Sequence, residues 1–418
     1  MVRAALLALI VPLALAGCGT AHDGALARQA GEVRALAPRA PRVVAPGDAA
    51  ALRAGNSAFA GKLLGLLARA KPGVALSPYS ISDALAMTFP GARRATASQI
   101  AEALVFRLPP ARLGTAFNAL DQSLQSVNGP GVRLSIANAL YGQQGTHFRR
   151  DFLSLLARDY GVGMRVVDFH HATEAARAAI NAWASARTHG KIPSLLARGD
   201  IDTLTRLVLV NAVYLNAKWQ SPFDKRATTP AAFHAPGGTV RVPTMHQAGS
   251  LDYARGPDYQ ALELPYRGGR LAFDVLLPDP GRLPSLLGRL ASRGPLDLLR
   301  GLRPSYVELA LPKLALRTRF ELADAFKALG MRLAFEPHRA DLSGIAGRRG
   351  ELYINAVVHQ AYLRVDEAGT EAAAATAVVI NGVSVRQAIM FDVDRPFVFV
   401  LHDRMTGAIL FLGTVYHP

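Results

Sequence analysis

The 418-residue chain has one cysteine, Cys18. A lone thiol excludes an internal disulfide and any cysteine-rich metal site, so the fold must be held by packing. Acidic residues are also few: 31 Asp and Glu stand against 47 Lys and Arg, a formal net charge of +16. Only 7 of the basic residues are lysines. The arginines are scattered, with no block of five or six like charges and no basic stripe interleaved with aromatics, so the excess does not describe a nucleic-acid platform. It fits an Arg-rich, Ala-rich composition better than a polyanion site. The signatures of common enzymes are missing: no Gly-x-Ser-x-Gly elbow, no His-Glu-x-x-His pair, no phosphate loop ending in Gly-Lys-Ser/Thr, no Ser-x-x-Lys. His170-His171 is a vicinal pair, and neighbours do not face each other on a helix, so a surface loop is expected there, not a metal site. Neither a metal nor a cofactor is expected, and the chain does not read as an enzyme.

What is present begins at the N-terminus. "MVRAALLALIVPLALAGC" has one Arg, an apolar run from Ala4 to Ala16, then small residues. That is a secretory signal pattern, too short for a membrane span. Cys18 follows Leu15-Ala16-Gly17, which resembles the bacterial lipoprotein signal, where the cysteine is lipidated and becomes the mature terminus. Residues 1–17 are therefore expected to be a signal peptide, and 18–50 a lipidated cysteine with a flexible tether rich in Ala, Arg, Pro and Gly. Gly19, not Asp, follows the cysteine, which points to a secreted protein anchored in the outer membrane, facing the periplasm or the surface. A soluble extracellular or periplasmic protein is the alternative. Residues 51–418 read as one globular domain without repeats or a second linker.

Within that domain Asn56 is expected to cap a helix carrying Phe59, Leu63, Leu66 and Leu67. A second helix is expected over "EAARAAINAWASA", with Ile180 and Trp183 on one face. A third is expected to open with the capping box Thr318-x-x-Glu321 and to end at Gly330. "LVLVNAVYL" (207–215) is apolar on both faces and predicts a central strand covered on both sides. Arg267-Gly268-Gly269-Arg270 and Arg404-Met405-Thr406-Gly407 each separate two apolar runs and predict hairpins. The order, helices first and strands later, predicts an α+β fold with large antiparallel sheets.

"DEAGTEAAAATAVVI" (366–380) stands apart. Read as a strand, it puts Thr370, Ala372, Ala374, Thr376 and Val378 on one face, all small or β-branched and uncharged. The single charge of the run, Glu371, falls on the other face with Ala373 and Ala375. Such a segment fits between existing strands and is also polar enough to stand in water. A helix, favoured by the alanines, and a plain surface loop remain open on the residues alone.

"VDEAGTEAAAATAVVINGVS" resembles the hinge and reactive loop of a serpin, a serine protease inhibitor. "LSPYSISDALAMTFPGA", "INAWASARTHGKIPSLL", "LVLVNAVYLNAKWQSPF", "LALPKLALRTRFELADAFKALGM" and "DRPFVFVLHDRMTGAILFLGTV", among others, resemble serpin segments in serpin order from about residue 56 to the end. The resemblance implies three β-sheets, about nine helices and an exposed reactive loop. It implies a suicide substrate: a protease cuts the loop, forms an acyl-enzyme, and is dragged across the molecule as the loop inserts as a new central strand. The hinge and inserting loop would be Glu367, Gly369, Thr370, Glu371, Ala372, Ala373, Ala374, Ala375 and Thr376. By loop length the cut falls between Val383 and Ser384, and Val383 suits an elastase-like pocket. Subtilisin-like and cysteine proteases are further expected targets. Ser77, Ser80, Asn211 and His359 resemble the polar cluster beneath the opening sheet, with His359 expected to satisfy Asn211. Trp219, Lys313 and Glu367 resemble the group where the loop first enters. Ala368 departs from the acidic residue or Lys often found there. The run lacks the bulky, charged or proline residues usual in non-inhibitory members, so an inhibitory monomer is expected, with a non-inhibitory envelope binding protein as the alternative.

Overall fold

The computed structural model describes residues 26–29, 31–35, 37–370 and 388–418. Cys18 and the signal-like segment lie outside them, as do Glu371, Ala372, Ala373, Ala374, Ala375, Thr376, Val383 and Ser384. The described helices are α1 (Pro46–Ala70), α2 (Pro78–Thr88), α3 (Arg94–Ala103), α4 (Pro110–Gln125), α5 (Arg150–Leu155), α6 (Thr173–Arg187), α7 (Leu283–Arg293), α8 (Pro295–Leu298) and α9 (Ala323–Ala328). The first strands are β1 (Leu26–Gln29), β2 (Glu32–Ala35), β3 (Val74–Leu76), β4 (Val132–Gln143), β5 (Met164–Val167), β6 (Leu207–Lys218), β7 (Thr229–Ala235), β8 (Gly238–Arg255) and β9 (Tyr259–Pro265). The rest are β10 (Leu271–Pro278), β11 (Arg303–Pro312), β12 (Leu314–Glu321), β13 (Ala356–Asp366), β14 (Gly369–Thr370), β15 (Ile389–Asp392), β16 (Phe397–Asp403) and β17 (Ile409–Val415). Among the described residues no helix is long and apolar enough to cross a membrane.

Two hydrogen-bonded networks carry the fold. One sheet has eight strands in the order β1-β2-β5-β4-β6-β14-β13-β12. The other has nine, β15-β11-β8-β9-β10-β16-β17-β3 with β7 beside β8. The third expected sheet is the part of the second network around β7, β8, β11 and β15. It stays joined to the rest because the 18-residue β8 pairs with β11 along its middle and with β9 at its far end.

β6 sits where its composition puts it. Leu207, Leu209, Val213 and Leu215 point into the main core, while Val208, Val210 and Ala212 point to a second core under α6. Both faces are buried, which is why the strand reads as a continuous apolar run. The two hairpins form at the expected places, between β9 and β10 and between β16 and β17. Gly268 and Gly269 turn the first with φ of 85° and 67°, a region that favours glycine.

Three expectations shift. The first helix starts at Pro46, ten residues before Asn56, with proline at its N-terminal turn. Asn56 is buried inside it and accepts from the Ser82 hydroxyl at 2.8 Å. Thr318 caps nothing: it lies in β12, paired with Ala361, and its hydroxyl donates to the Ala75 carbonyl. Glu321 does the capping alone, accepting from the Ala323 amide at 3.1 Å, ahead of the short α9. The expected tether does not run to residue 50. β2 pairs with β5, the Gly163 amide donates to Glu32, and Asn118 on α4 donates to the carbonyls of Ala40 and Pro41. Main-chain pairing, a few polar side chains and only three apolar contacts, Val33, Ala35 and Val44, seat this segment, so the apolar signal in the sequence is weak.

Candidate functional site

β6 and β13 run parallel and pair from Val208 with Ala356 to Val213 with Ala361. Above that point the ladder ends. β14 enters between them from the top, antiparallel to both: Gly369 lies opposite Lys218 and Asp366, and Thr370 opposite Ala217 and Val365. The hinge is therefore already seated in the sheet by two residues, where the sequence suggested that Thr370 waits outside it. Gly369 is required there. Its φ is 147°, and a Cβ would lie 2.0 Å from the Ala217 carbonyl oxygen.

The expected group around the point of entry is assembled. Lys313 Nζ pairs with Glu367 at 3.0 Å, and the Thr228 hydroxyl donates to the same carboxylate at 2.8 Å. Burial pushes the Glu367 carboxyl up, but its own backbone amide, Lys313 and Thr228 outweigh that and hold it below the usual range. The Trp219 indole N–H donates to the Asp366 carbonyl at 2.9 Å, its backbone amide donates to the Ala368 carbonyl at 3.0 Å, and its ring stacks on Tyr266 at 4.5 Å. Tyr266 in turn shares a 2.5 Å hydrogen bond with the Thr370 hydroxyl. Thr228 and Tyr266 were not legible as members. Neither motif nor spacing marks them, since β9's end and the loop before β7 meet only in the fold.

Lower in the sheet the second group forms a row on the core-facing side. Asn138 of β4, Asn211 of β6 and His359 of β13 are direct cross-strand neighbours. α2 lies beneath them, capped by Ser77 and with Ser80 in its first turn. The Ser77 amide donates to His359 Nε2 at 3.0 Å, and the Ser80 hydroxyl donates to Asn138. Asn138 also donates to Asp83 at 2.7 Å. Asn138 was missed, although Val132, Leu134, Asn138 and Leu140 share one face of β4 and a lone Asn in that alternation is the signal. His359 does not satisfy Asn211, contrary to expectation: both side-chain polar atoms of Asn211 and the Nδ1 of His359 are buried without a partner. The imidazole Nε2 accepts from the Ser77 amide, and its Nδ1 does not reach a partner. Each such orphan costs about 1–3 kcal/mol. The middle of the sheet, on the line that β14 follows, is thus left with unmet hydrogen-bonding capacity.

Burial pulls the His359 pKa down to about 3, so the ring is neutral. Between that value and the ordinary 6.5 the unfolded chain binds a proton that the folded chain refuses. His359 therefore removes stability as pH falls below 6.5, by up to about 1.4 kcal/mol per pH unit. Asp83 acts oppositely: burial and then Asp121 raise its carboxyl to about 7, which adds stability as pH falls below 7. The two are separated by comparing variants. Between pH 7 and pH 5 the parent should lose about 2 kcal/mol more in a denaturant titration than His359→Gln. Equal losses would show that His359 is not held neutral.

His170 and His171 lie on an exposed turn, as expected, though their rings meet at 2.8 Å between nitrogens. A buried group of Glu263, Asp274 and His402 brings three ligand atoms within 4.8 Å of one another. His402 is already bound to Asp274 at 2.8 Å, and Arg404 lies 3.1 Å from Glu263. The group reads as an internally compensated charge network in the nine-stranded sheet.

Comparison with known proteins agrees with this architecture. The sequence profile of serpins, serine protease inhibitors, matches residues 54–418. An uncharacterized serpin-like protein of Thermococcus kodakarensis is 39% identical over 82% of this chain and 80% of its own. Leukocyte elastase inhibitor A of Rattus norvegicus is 36% identical over 88% of this chain and 99% of its own. Among solved structures, the thermophilic serpin tengpin in its native state superposes with a TM-score of 0.83 at 26% identity, covering 91% of this chain and 97% of that one.

Proposed function

The chain belongs to the serpin family, and we propose on that premise that it is a suicide-substrate inhibitor of elastase-like serine proteases. The observation that carries this reading is the seat of β14. It shares antiparallel ladders with both β6 and β13 above Val213 and Ala361, where those strands part. If the same register is continued downward, residue 376 falls opposite Asn211 and His359 together. Thr376 has a hydroxyl that donates and accepts, and the orphaned groups there are an amide and an imidazole N–H. Insertion would then gain a main-chain ladder and answer the unmet polar groups at once. The loop supplies what that route needs: from Gly369 to Thr376 its inward positions are small or β-branched and uncharged.

Val383 at the expected cut favours a small apolar specificity pocket, and the relative from rat is named for elastase inhibition. Mixing the protein with a pancreatic or leukocyte elastase should give a band on a denaturing gel at the summed mass of inhibitor and protease. Clean cleavage without that band would select the alternative, a non-inhibitory binding protein on the same fold.

The site of action in this reading is the cell envelope. The pattern Leu15-Ala16-Gly17-Cys18 supports lipidation at Cys18, and acyl chains contribute about 0.8 kcal/mol per buried methylene to membrane attachment. Detergent-phase partitioning should be lost in Cys18→Ser; partitioning that persists would remove the anchor from the proposal.

A further inference from the structure

Three carboxylates stand in a row across the nine-stranded sheet. Asp252 of β8 is the direct partner of Glu263 on β9, and Glu263 is the direct partner of Asp274 on β10. Direct partners share a face, and like charges so placed repel. With 31 acidic residues against 47 basic ones, this chain has little reason to line up three acids unless something positive meets them. The row runs inward: Asp252 is partly exposed, Glu263 is buried and Asp274 is fully so.

The protein answers this row only in part. Arg404 lies 3.6 Å from Asp252 and 3.1 Å from Glu263 Oε1. His402 of β16 comes in from the next strand, its Nδ1 2.8 Å from Asp274 Oδ2 and its Nε2 3.9 Å from Glu263 Oε2. These contacts balance charge, but Asp274 Oδ1 is buried and finds no donor. An acceptor of a charged group left unmet in the core is costly. Glu263 meanwhile divides its oxygens, Oε1 toward Arg404 and Oε2 toward His402.

We propose that Glu263, Asp274 and His402 bind one divalent transition-metal cation of the zinc type. Each offers one ligand atom, and the three atoms lie within 4.8 Å of one another. Tetrahedral ligands about 2.0–2.1 Å from zinc stand roughly 3.3 Å apart, so the side chains need to draw together by about 1.5 Å at most. Two carboxylates and an imidazole suit zinc, whereas calcium takes six to eight oxygens and magnesium an octahedron of them. A doubly charged ion between two carboxylates and a neutral imidazole makes an uncharged centre, the condition under which an ion is tolerated in a core. Arg404 can keep its own Glu263 oxygen and orient that ligand from outside. The three residues sit on separate strands in no spaced motif, which is why the sequence led to no expectation of a metal. The ion would fasten β9, β10 and β16 together, in the sheet that does not receive β14.

The test needs no protease, so its outcome is separate from that of the inhibitory reading. The untagged full chain is stripped with EDTA, dialysed and titrated with zinc chloride in a calorimeter. One site is expected, and zinc at about a hundred times its dissociation constant should raise the melting temperature by about 3 °C. His402→Gln and Glu263→Gln should each weaken zinc by about tenfold or more. His171→Ala should leave the affinity unchanged; the exposed turn of His170 and His171 is the rival chelate. If His402→Gln melts below the parent without metal, Glu263→Gln, nearer the rim, is read by the same criterion. Absence of binding, a site that survives both glutamine variants, or a site that His171→Ala removes each overturns the proposal.

Discussion

Cutting the chain between Val383 and Ser384 should raise its melting temperature by about 10 °C or more over the intact protein. The cut frees thirteen residues, 371 to 383, to follow β14 into the sheet. A central strand gains about two ladder hydrogen bonds per residue, each near 1 kcal/mol net, less the β6–β13 pairing from Val208 to Val213 that it displaces and an ordering cost of about 1–2 kcal/mol per residue. The surplus comes from the orphaned groups of Asn211 and His359, which the new strand answers, and from apolar side chains it covers. A net gain on the order of 10 kcal/mol, spread over an unfolding entropy of roughly 2.1 cal/mol/K per residue, moves the midpoint by about 13 °C. Calorimetry of intact and elastase-nicked protein checks this. A nicked form that melts no higher than the intact one would falsify insertion.

Thr370→Arg should abolish the covalent adduct while leaving cleavage intact. Thr370 is 1% exposed, flanked by Ala217 and Val365, and bonded to the Tyr266 hydroxyl. A guanidinium here would have to be buried in place of a small hydroxyl against Tyr266, and burying a charge costs several kcal/mol unless it is fully paired. The variant must therefore unseat β14, and the loop then has no foothold from which to enter. Adduct yield on a denaturing gel should drop by about a hundredfold or more, the equivalent of a few kcal/mol. Undiminished trapping would mean that the seat is unrelated to inhibition.

The fold was legible where burial writes a period into the sequence. β6 declared itself by being apolar on both faces, and the hairpins at Gly268-Gly269 and before Gly407 by their turn residues. It was illegible where backbone pairing does the work. Residues 31–45 show little pattern because only Val33, Ala35 and Val44 pack on the core, and Glu32, Asn118 and main-chain carbonyls supply the other contacts. Thr318 was misread because Thr-x-x-Glu before an apolar residue scores as a cap whether or not the Thr already belongs to a strand. Of the site, Ser77, Ser80, Asn211 and His359 come together as the family resemblance implied, and so do Trp219, Lys313 and Glu367. The resemblance could not tell which hydrogen bonds they make. His359 Nε2 accepts from the Ser77 amide, while its Nδ1 and both polar atoms of Asn211 stay without partners. It also could not tell that Gly369 and Thr370 are seated, because the same small residues suit an exposed loop and a strand equally.

The seat of β14 bears on speed. An acyl-enzyme is short-lived, so an inhibitor of this type must outrun the water that would release the protease. Pairing a strand is slow chiefly because it must search for its partners before the first contacts reward it. Here the search is over before any protease arrives, since Gly369 and Thr370 already fix the alignment. If the proposed trapping holds, cleavage starts the race with the first step taken, and the fraction of encounters won should depend on how firmly those two residues are held.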